Sequence, residues 1–245
     1  MNWGDTSLGG RDRQFPETTW GLVTRIHSPG TAEHRAAMET LCRRYWKPIY
    51  HYVRMAWSRS NEDAKDLTQA FLLWLVEGDA LARFAPEKGR FRGYLKVLLT
   101  RFVKDQTDAL HALKRGGGVR VIPLDELQAE GDAVADPRAT DPEKAFDRAW
   151  ALTLAKRAVD TVRERFKAQG RDAMFRVYEA YDLQPAGEKP TYGAVAERLG
   201  LKESDVRNHL FAVRQEVLAE IRRELSQTVS SHRDLEEEWN DLFGV

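Results

Sequence analysis

The sequence predicts an all-α protein of two helical domains, a helical bundle and a helix-turn-helix, joined by a linker. Apolar residues recur at helical spacing along most of the 245-residue chain, and no sustained period-two alternation or hairpin dipeptide occurs. Between residues 116 and 142, a glycine run, three prolines and scattered acids interrupt the helical pattern. This interruption predicts a domain over 15–115, a linker over 116–142, a domain over 143–225 and an acidic tail over 226–245.

The apolar periodicity predicts nine helices. They cover residues 17–27, 32–58, 61–77, 90–113, 143–168, 171–181, 191–199, 203–225 and 233–243. The helix over 61–77 has an apolar stripe formed by Ala64, Leu67, Phe71, Trp74 and Leu75. Its opposite face carries Asp63, Asp66, Gln69 and Ala70. Because an acidic helix face is most often only solvated, this face alone does not identify a binding surface.

The helix over 90–113 combines cations with aromatic rings. Its apolar stripe consists of Phe91, Leu95, Leu98, Leu99 and Phe102. Its other side carries Arg90, Tyr94, Arg101 and Lys104. Cations that follow phosphates, interleaved with a ring that stacks on unpaired bases, are typical of surfaces for single-stranded nucleic acid. The alternative is a solvated basic face with Tyr94 in the core, and this helix alone does not decide between them.

Charge is balanced over the whole chain but not along it. The chain has 38 basic and 38 acidic residues. Residues 1–118 have 19 basic and 13 acidic residues, whereas the remainder has 19 basic and 25 acidic. The stretch 81–115 alone has nine basic residues and three acidic ones. A local basic stripe of this kind is expected of a surface that contacts phosphates.

The segment over 191–214 predicts a helix-turn-helix. Thr191 is a suitable N-cap, and Gly200 permits the positive φ that ends a helix. A second helix begins at once, with acidic residues in its first turn. Its apolar stripe consists of Val206, Leu210, Val213 and Val217, and its remaining faces carry Arg207, Asn208, Phe211 and Arg214. Arg and Asn can bond bidentately to guanine and adenine in a major groove, so this is a candidate recognition helix. An ordinary helical hairpin with a solvated face is the alternative.

Composition excludes several classes of protein. Cys42 is the one cysteine, so neither an intramolecular disulfide nor a cysteine-based zinc site can form. The chain has no apolar run of membrane-spanning length, and its first residues lack the pattern of a signal peptide. Its six histidines are scattered, and no phosphate-binding glycine motif occurs. We therefore expect a cytoplasmic protein without a membrane partner, cofactor, metal or enzymatic activity.

Taken in order, these segments resemble a bacterial RNA polymerase sigma factor of the extracytoplasmic-function (ECF) group. The first helix of that family's region 2 resembles LCRRYWKPIYHYVR (41–54), its polymerase-clamp helix resembles DAKDLTQAF (63–71), and its promoter-melting helix resembles GRFRGYLKVLLTRFVKD (89–105). The helix-turn-helix lies where the family has region 4. The resemblance covers residues 15–225. A branch often found near Ser/Thr kinases is similar in FPETTW, YWKPIY, DLTQAF, GRFRGYL and LKRGGG.

The resemblance implies an initiation factor whose partners are core RNA polymerase and promoter DNA, with a Ser/Thr kinase or an anti-sigma protein as further partners. The polymerase-binding residues it implies are Asp63, Asp66, Gln69 and Leu73. For capture of the melted minus-ten strand, it implies Arg90, Phe91, Arg92, Tyr94, Arg101 and Lys104. For duplex recognition of the minus-thirty-five element, it implies Ser204, Arg207, Asn208, Phe211 and Arg214.

The sequence departs from the family at three positions. The family's clamp helix usually reads D-A-E-D-L-x-Q-E, whereas this chain has Lys65 and Ala70 in place of the two Glu. The acidic face is therefore short of a carboxylate. Phosphorylation of Thr68 would add about −1.5 to −2 charges and is a candidate remedy, although a helical wheel places Thr68 near the core edge. Ala212 stands where the family often has Arg.

Two alternatives concern the tail and the overall function. The tail has an apolar stripe of Leu235, Trp239, Leu242 and Phe243 surrounded by acids. We expect an amphipathic helix that either packs as one more structural helix or covers a basic DNA-binding face. The alternative function is a conventional helix-turn-helix regulator that binds duplex DNA without polymerase, which leaves the basic helix over 90–113 unassigned.

Overall fold

The computed structural model describes residues 31–57, 60–85, 89–114, 141–185 and 189–244. These residues form eight α-helices and a 3₁₀ turn at Leu81–Arg83, and this part of the chain contains no strand. The helices are α1 (Ala32–Trp57), α2 (Asn61–Glu77), α3 (Phe91–Lys114), α4 (Pro142–Ala168), α5 (Asp172–Tyr181), α6 (Tyr192–Leu199), α7 (Glu203–Ser226) and α8 (His232–Phe243). The all-α prediction is confirmed, and each of the eight matches its predicted range to within one residue. The predicted helix over 17–27 and nearly all of the predicted linker lie outside the described residues.

Side-chain caps set the beginning of several helices. Ser60 Oγ accepts a hydrogen bond from the Asp63 amide at 3.1 Å and begins α2. Asp141 accepts one from the Glu143 amide at 2.9 Å and begins α4, whose first residue is a proline. Each cap satisfies an amide that has no partner within its helix. Short polar side chains therefore begin both of these helices.

Helices α1, α2 and α3 pack together around aromatic rings. The Phe71 ring in α2 meets the Phe102 ring in α3 edge-on, with centroids 5.3 Å apart. Leu75 and Leu95 are fully buried between the same helices. Trp74 was predicted to be a core residue, and this is wrong, because 41% of its surface is exposed. Its ring covers Phe71 and Phe102 from outside, with centroids 5.8 and 5.6 Å away.

Helices α4 to α7 form the second half of the fold. The long helix α7 packs against α4, α5 and α6. Phe166 at the end of α4 lies near Phe175 in α5, and the Arg171 guanidinium lies 4.3 Å from the Phe166 ring centroid. The helix-turn-helix of α6 and α7 therefore rests on a scaffold supplied by α4 and α5.

The two halves pack directly on each other. Tyr45 in α1 stacks on Trp150 in α4, with ring centroids 4.4 Å apart and planes 12° apart. Both residues are buried, and burial raises the pKa of Tyr45. The buried apolar residues of both predicted domains thus form one continuous core. Helix α1 can serve both because its buried stripe is wide enough to contact α2, α3 and α4.

A buried carboxylate strengthens this junction. Glu224 in α7 pairs with Arg44 in α1 at 3.0 Å and with Arg157 in α4 at 3.2 Å. Arg44 is almost fully buried, and burial lowers its pKa despite the neighbouring Glu224. A charge in such a place is tolerated only when it is paired. Glu224 therefore ties three helices from both halves together.

We predict that Trp150→Ala destabilises both halves together. Loss of the buried indole costs about 3–5 kcal/mol in free energy of unfolding, and chemical denaturation followed by circular dichroism should show one shifted cooperative transition. Trp74→Ala is the matched control, because its partly exposed ring makes the expected cost about 1 kcal/mol. Two separate transitions, only one of which shifts in Trp150→Ala, would show that the halves fold independently.

Candidate nucleic-acid and protein-binding surfaces

Helices α6 and α7 form the predicted helix-turn-helix. Thr191 Oγ1 accepts a hydrogen bond from the Ala194 amide at 3.1 Å and begins α6. Gly200 ends α6 in the left-handed conformation, with φ 67° and ψ 35°. The Leu201 amide then donates to the Ala196 carbonyl oxygen at 2.9 Å, which closes the turn before α7 begins. The cap and the glycine act as the sequence predicted.

The outer face of α7 carries four of its five predicted recognition residues. Ser204, Arg207 and Asn208 are exposed, and Phe211 has 66% of its surface exposed. The opposite stripe of Val206, Leu210, Val213 and Val217 is buried. The exposed Phe211 ring therefore lies beside polar hydrogen-bonding groups on one accessible face. The first turns of α7 therefore have the polar and apolar groups with which helices contact base edges and thymine methyl groups.

The fifth recognition residue, Arg214, is engaged within the protein. Its Nε and Nη2 donate to the two carboxylate oxygens of Asp182, at 2.7 and 2.9 Å. This bidentate bond raises the pKa of Arg214 even though partial burial opposes it. The guanidinium also lies 5.7 Å from the Tyr181 ring centroid. Arg214 thus fastens α7 to the end of α5.

Helix α2 presents the four predicted polymerase-binding residues on one exposed face. Asp63, Asp66 and Gln69 are exposed, and Leu73 has 56% of its surface exposed. Ala70, exposed among them, leaves the middle of this face without a side-chain charge. We call these five residues the α2 face. Two carboxylates beside a large exposed apolar side chain form a surface suited to a basic protein partner.

Thr68 lies in the core rather than at its edge. Its side chain is fully buried, and its hydroxyl donates to the Ala64 carbonyl oxygen at 2.7 Å. A kinase cannot reach this hydroxyl while α2 is packed as it is here. The departure from the helical wheel arises because α1 and α3 cover more of α2 than one narrow stripe.

The predicted strand-capture residues in and just before α3 divide into four groups, the last of which is the pair Arg90 and Arg92. Arg101 and Lys104 are exposed. Tyr94 is half-buried, and its hydroxyl donates to the Ala80 carbonyl oxygen at 2.6 Å. Phe91 is fully buried against Tyr45 and Phe84, with centroids 5.7 and 5.3 Å away. The prediction that Phe91 contacts a base does not fit this position, because its ring already belongs to the core.

Arg90 and Arg92 form an ion-pair cluster with three carboxylates. Arg92 Nε lies 2.5 Å from Glu238 Oε1 in α8, and Arg92 also pairs with Asp147 in α4. Arg90 Nη1 lies 2.7 Å from Asp241 and 3.0 Å from Glu238. Burial alone lowers the pKa of Arg92, but bonds to Glu238 and Asp147 outweigh it and raise that pKa. We call these five residues the α3–α8 cluster.

Sequence reasoning missed the carboxylates of this cluster. Asp234, Glu238 and Asp241 recur in the tail at i, i+4 and i+7 and therefore lie on one face of α8. That spacing is the signal that identifies Glu238 and Asp241 as members of one acidic stripe. It does not identify their partner, because Arg92 lies 146 residues away along the chain.

In the described part of the chain, no helix is both long and apolar enough to cross a bilayer. The same residues hold no group of three or more His, Cys, Asp or Glu that could share a metal ion. No family model, curated protein or solved structure matches the chain. A functional conclusion therefore depends on the geometry of these surfaces and on the resemblance of the sequence.

We predict very different losses of stability for two neighbouring substitutions in α7. Leu210→Ala removes a buried side chain and should cost about 2–5 kcal/mol in free energy of unfolding. Phe211→Ala removes an exposed ring and should change it by less than about 0.5 kcal/mol. Thermal denaturation of both variants measures the difference. A large loss for Phe211→Ala would mean that this ring packs inside the protein rather than facing a partner.

Proposed function

We propose that this protein is a sigma-type initiation factor, which binds core RNA polymerase and directs promoter recognition and DNA melting. The observation that carries the proposal is the exposed recognition face at the start of α7, held by a complete helix-turn-helix. The α2 face and the basic helix α3 precede it in the order that the family resemblance implies. A binding protein of this kind needs no catalytic residues of its own.

The start of α7 supports duplex recognition. Recognition helices contact base edges mainly through their N-terminal residues, and Arg207 and Asn208 lie in the second turn of α7. Arg can bond bidentately to guanine and Asn to adenine, whereas Phe211 offers an apolar contact for a thymine methyl group. Ser204 lies in the first turn, where backbone amides and the helix dipole favour a phosphate.

The α2 face supports polymerase binding. Asp63 and Asp66 provide the negative charge that a basic clamp surface would complement, and Leu73 provides apolar area for the centre of the contact. Because Ala70 leaves this face with two carboxylates, binding would rely more on the apolar contact than it would on a fully acidic helix face. This makes the affinity less sensitive to salt.

Helix α3 supports strand capture through its exposed cations. Arg101 and Lys104 can contact phosphates as they stand. Arg90 and Arg92 contribute only after the α3–α8 cluster opens, since their guanidinium groups are paired. Strand capture offsets the cost of unstacking a few bases with stacking and phosphate contacts.

Promoter binding requires the two halves to separate. The minus-ten and minus-thirty-five elements lie more than one helical turn apart, and one turn of duplex spans about 34 Å. In the free protein, α1 and α4 are stacked through Tyr45 and Trp150. Polymerase binding to the α2 face and to the helix-turn-helix would stabilise the open arrangement by population shift.

One observation favours a second candidate, a regulator that binds duplex DNA without polymerase. The recognition face of α7 is exposed while Arg90 and Arg92 are paired. The protein could therefore bind duplex DNA through α7 without first separating its two halves. Such a regulator would bind a palindromic site as a dimer, which analytical ultracentrifugation on DNA would detect.

Reconstituted transcription tests the proposal. The purified protein is mixed with bacterial core polymerase and a mismatched-bubble template whose upstream duplex is randomised, and bound templates are selected and transcribed. We expect a stable complex with core polymerase and a transcript that depends on the protein. Binding to duplex alone, with neither complex nor transcript, would contradict the sigma assignment and support the regulator.

We further predict that substitutions distinguish the residues that contact bases from those that contact phosphates. On the selected template, Arg207→Ala should cost about 1–3 kcal/mol in binding free energy and relax specificity at one base pair. Lys104→Ala should weaken binding of all sequences and reduce the salt slope by about 1. Arg176→Ala, in an exposed i,i+4 pair with Asp172 on α5, is the matched control and should leave binding unchanged. Uniform loss in all three variants would contradict both assignments.

A further inference from the structure

We propose that α8 competes with nucleic acid for the guanidinium groups of Arg90 and Arg92 and so keeps the free protein from capturing single strands. The identity of the competing ligand rests on the proposed function. That α8 covers the guanidinium groups of Arg90 and Arg92, however, follows from contacts within the protein alone. This assigns the tail a regulatory role on α3 rather than on the helix-turn-helix.

Glu238 binds Arg92 in the way a phosphate would. Its two oxygens accept from Arg92 Nε at 2.5 Å and from Arg92 Nη2 at 3.1 Å. This is the bidentate fork by which arginine recognises carboxylates and phosphates alike. The Glu238 side chain is 1% exposed, so no phosphate can approach that edge of Arg92 while α8 is in place.

Arg90 is occupied by the same helix. Its Nη1 contacts both Glu238 and Asp241, and Asp241 also reaches Arg92 Nη2 at 3.3 Å. Two carboxylates of α8 thus neutralise the two arginines at the start of α3. Because like charges repel, the acidic residues of α8 also lower the local concentration of any polyanion.

Apolar side chains supply the remaining attachment of α8. Leu235 is its one buried apolar residue, while Trp239, Leu242 and Phe243 are only partly buried. Trp239 lies under the Arg222 guanidinium at 4.6 Å, so this contact too depends on a cation of α7. Release of α8 therefore exposes apolar area as well as unpairing charges, and the new phosphate contacts must offset that cost. Displacement by a polyanion exchanges carboxylates for phosphates at the same arginines.

A contrasting explanation treats the α3–α8 cluster as a structural fastening. Removing one member of a buried ion pair usually destabilises a protein, because the remaining charge loses its partner. Arg92 keeps Asp147 in α4 when Glu238 is changed, so its charge stays paired. Loss of stability without any gain in nucleic-acid affinity is the signature of the structural explanation.

The neighbouring residue Glu237 provides a matched control. It lies on the same helix and carries the same charge, but its side chain is 47% exposed and pairs with Arg233 within α8. Glu237→Gln therefore removes the same charge from the tail without touching α3. Any difference between Glu238→Gln and Glu237→Gln reports on the α3–α8 cluster rather than on net charge.

Binding of a labelled single-stranded DNA oligonucleotide by the full-length chain, followed by fluorescence anisotropy, tests the proposal. We expect Glu238→Gln to bind roughly tenfold more tightly than wild type, as when a small competent population becomes the major one, and Glu237→Gln to bind as wild type. Amide hydrogen exchange over residues 232–243 should be faster in Glu238→Gln. Faster exchange with unchanged DNA affinity would overturn the proposal.

A measurement on the wild type covers the case in which Glu238→Gln does not fold. Saturating oligonucleotide should accelerate hydrogen exchange over residues 232–243, because DNA and α8 cannot occupy the arginines together. Unchanged exchange at saturation would refute competition. Neither assay contains polymerase, so the two proposals can be contradicted separately. Release of α8 by DNA without a transcript in the reconstituted assay would contradict the initiation-factor proposal. A transcript without release of α8 would contradict only the proposed competition.

Discussion

Stacking of Tyr45 on Trp150 is the contact on which the rest of the arrangement depends. It holds α1 against α4 and so joins two helical groups that the sequence divides. With α4 fixed there, Asp147 reaches Arg92, and α7 delivers α8 to the start of α3. The α3–α8 cluster exists only while the halves are stacked. An apolar contact thereby controls whether charged groups of α3 are accessible.

The charged surfaces consequently differ in how accessible they are in the free protein. The recognition face of α7 and the α2 face are exposed in the free protein, whereas two of the four cations assigned to strand capture are paired. Acidic residues of the second half, among them Glu224, Glu238 and Asp241, pair with arginines of the first. On the proposed function, such a protein would recognise duplex before it captures a strand.

Local patterns made most of the fold and part of the site predictable. Helix ends followed from caps and from Gly200, and the faces of α7 followed from its periodicity, because each depends on residues within one or two turns. Trp74 and Thr68 were misplaced because their burial depends on which other helices cover them, whereas periodicity placed Phe91 correctly in the apolar stripe and only the resemblance assigned it to strand capture. The Glu238–Arg92 pair could not be predicted from the sequence for the same reason, because no residue near either partner in the sequence identifies the other.

The distance between the two halves tests the central claim, that a closed free protein opens on polymerase and promoter. Spin labels at Ala36→Cys on α1 and Gln215→Cys on α7, in a Cys42→Ser background, occupy exposed positions on opposite halves and outside the residues assigned to polymerase and DNA. Pulsed dipolar spectroscopy should give one narrow distance distribution in the free protein and a longer one with core polymerase and promoter DNA. An identical distribution in both states would contradict the claim.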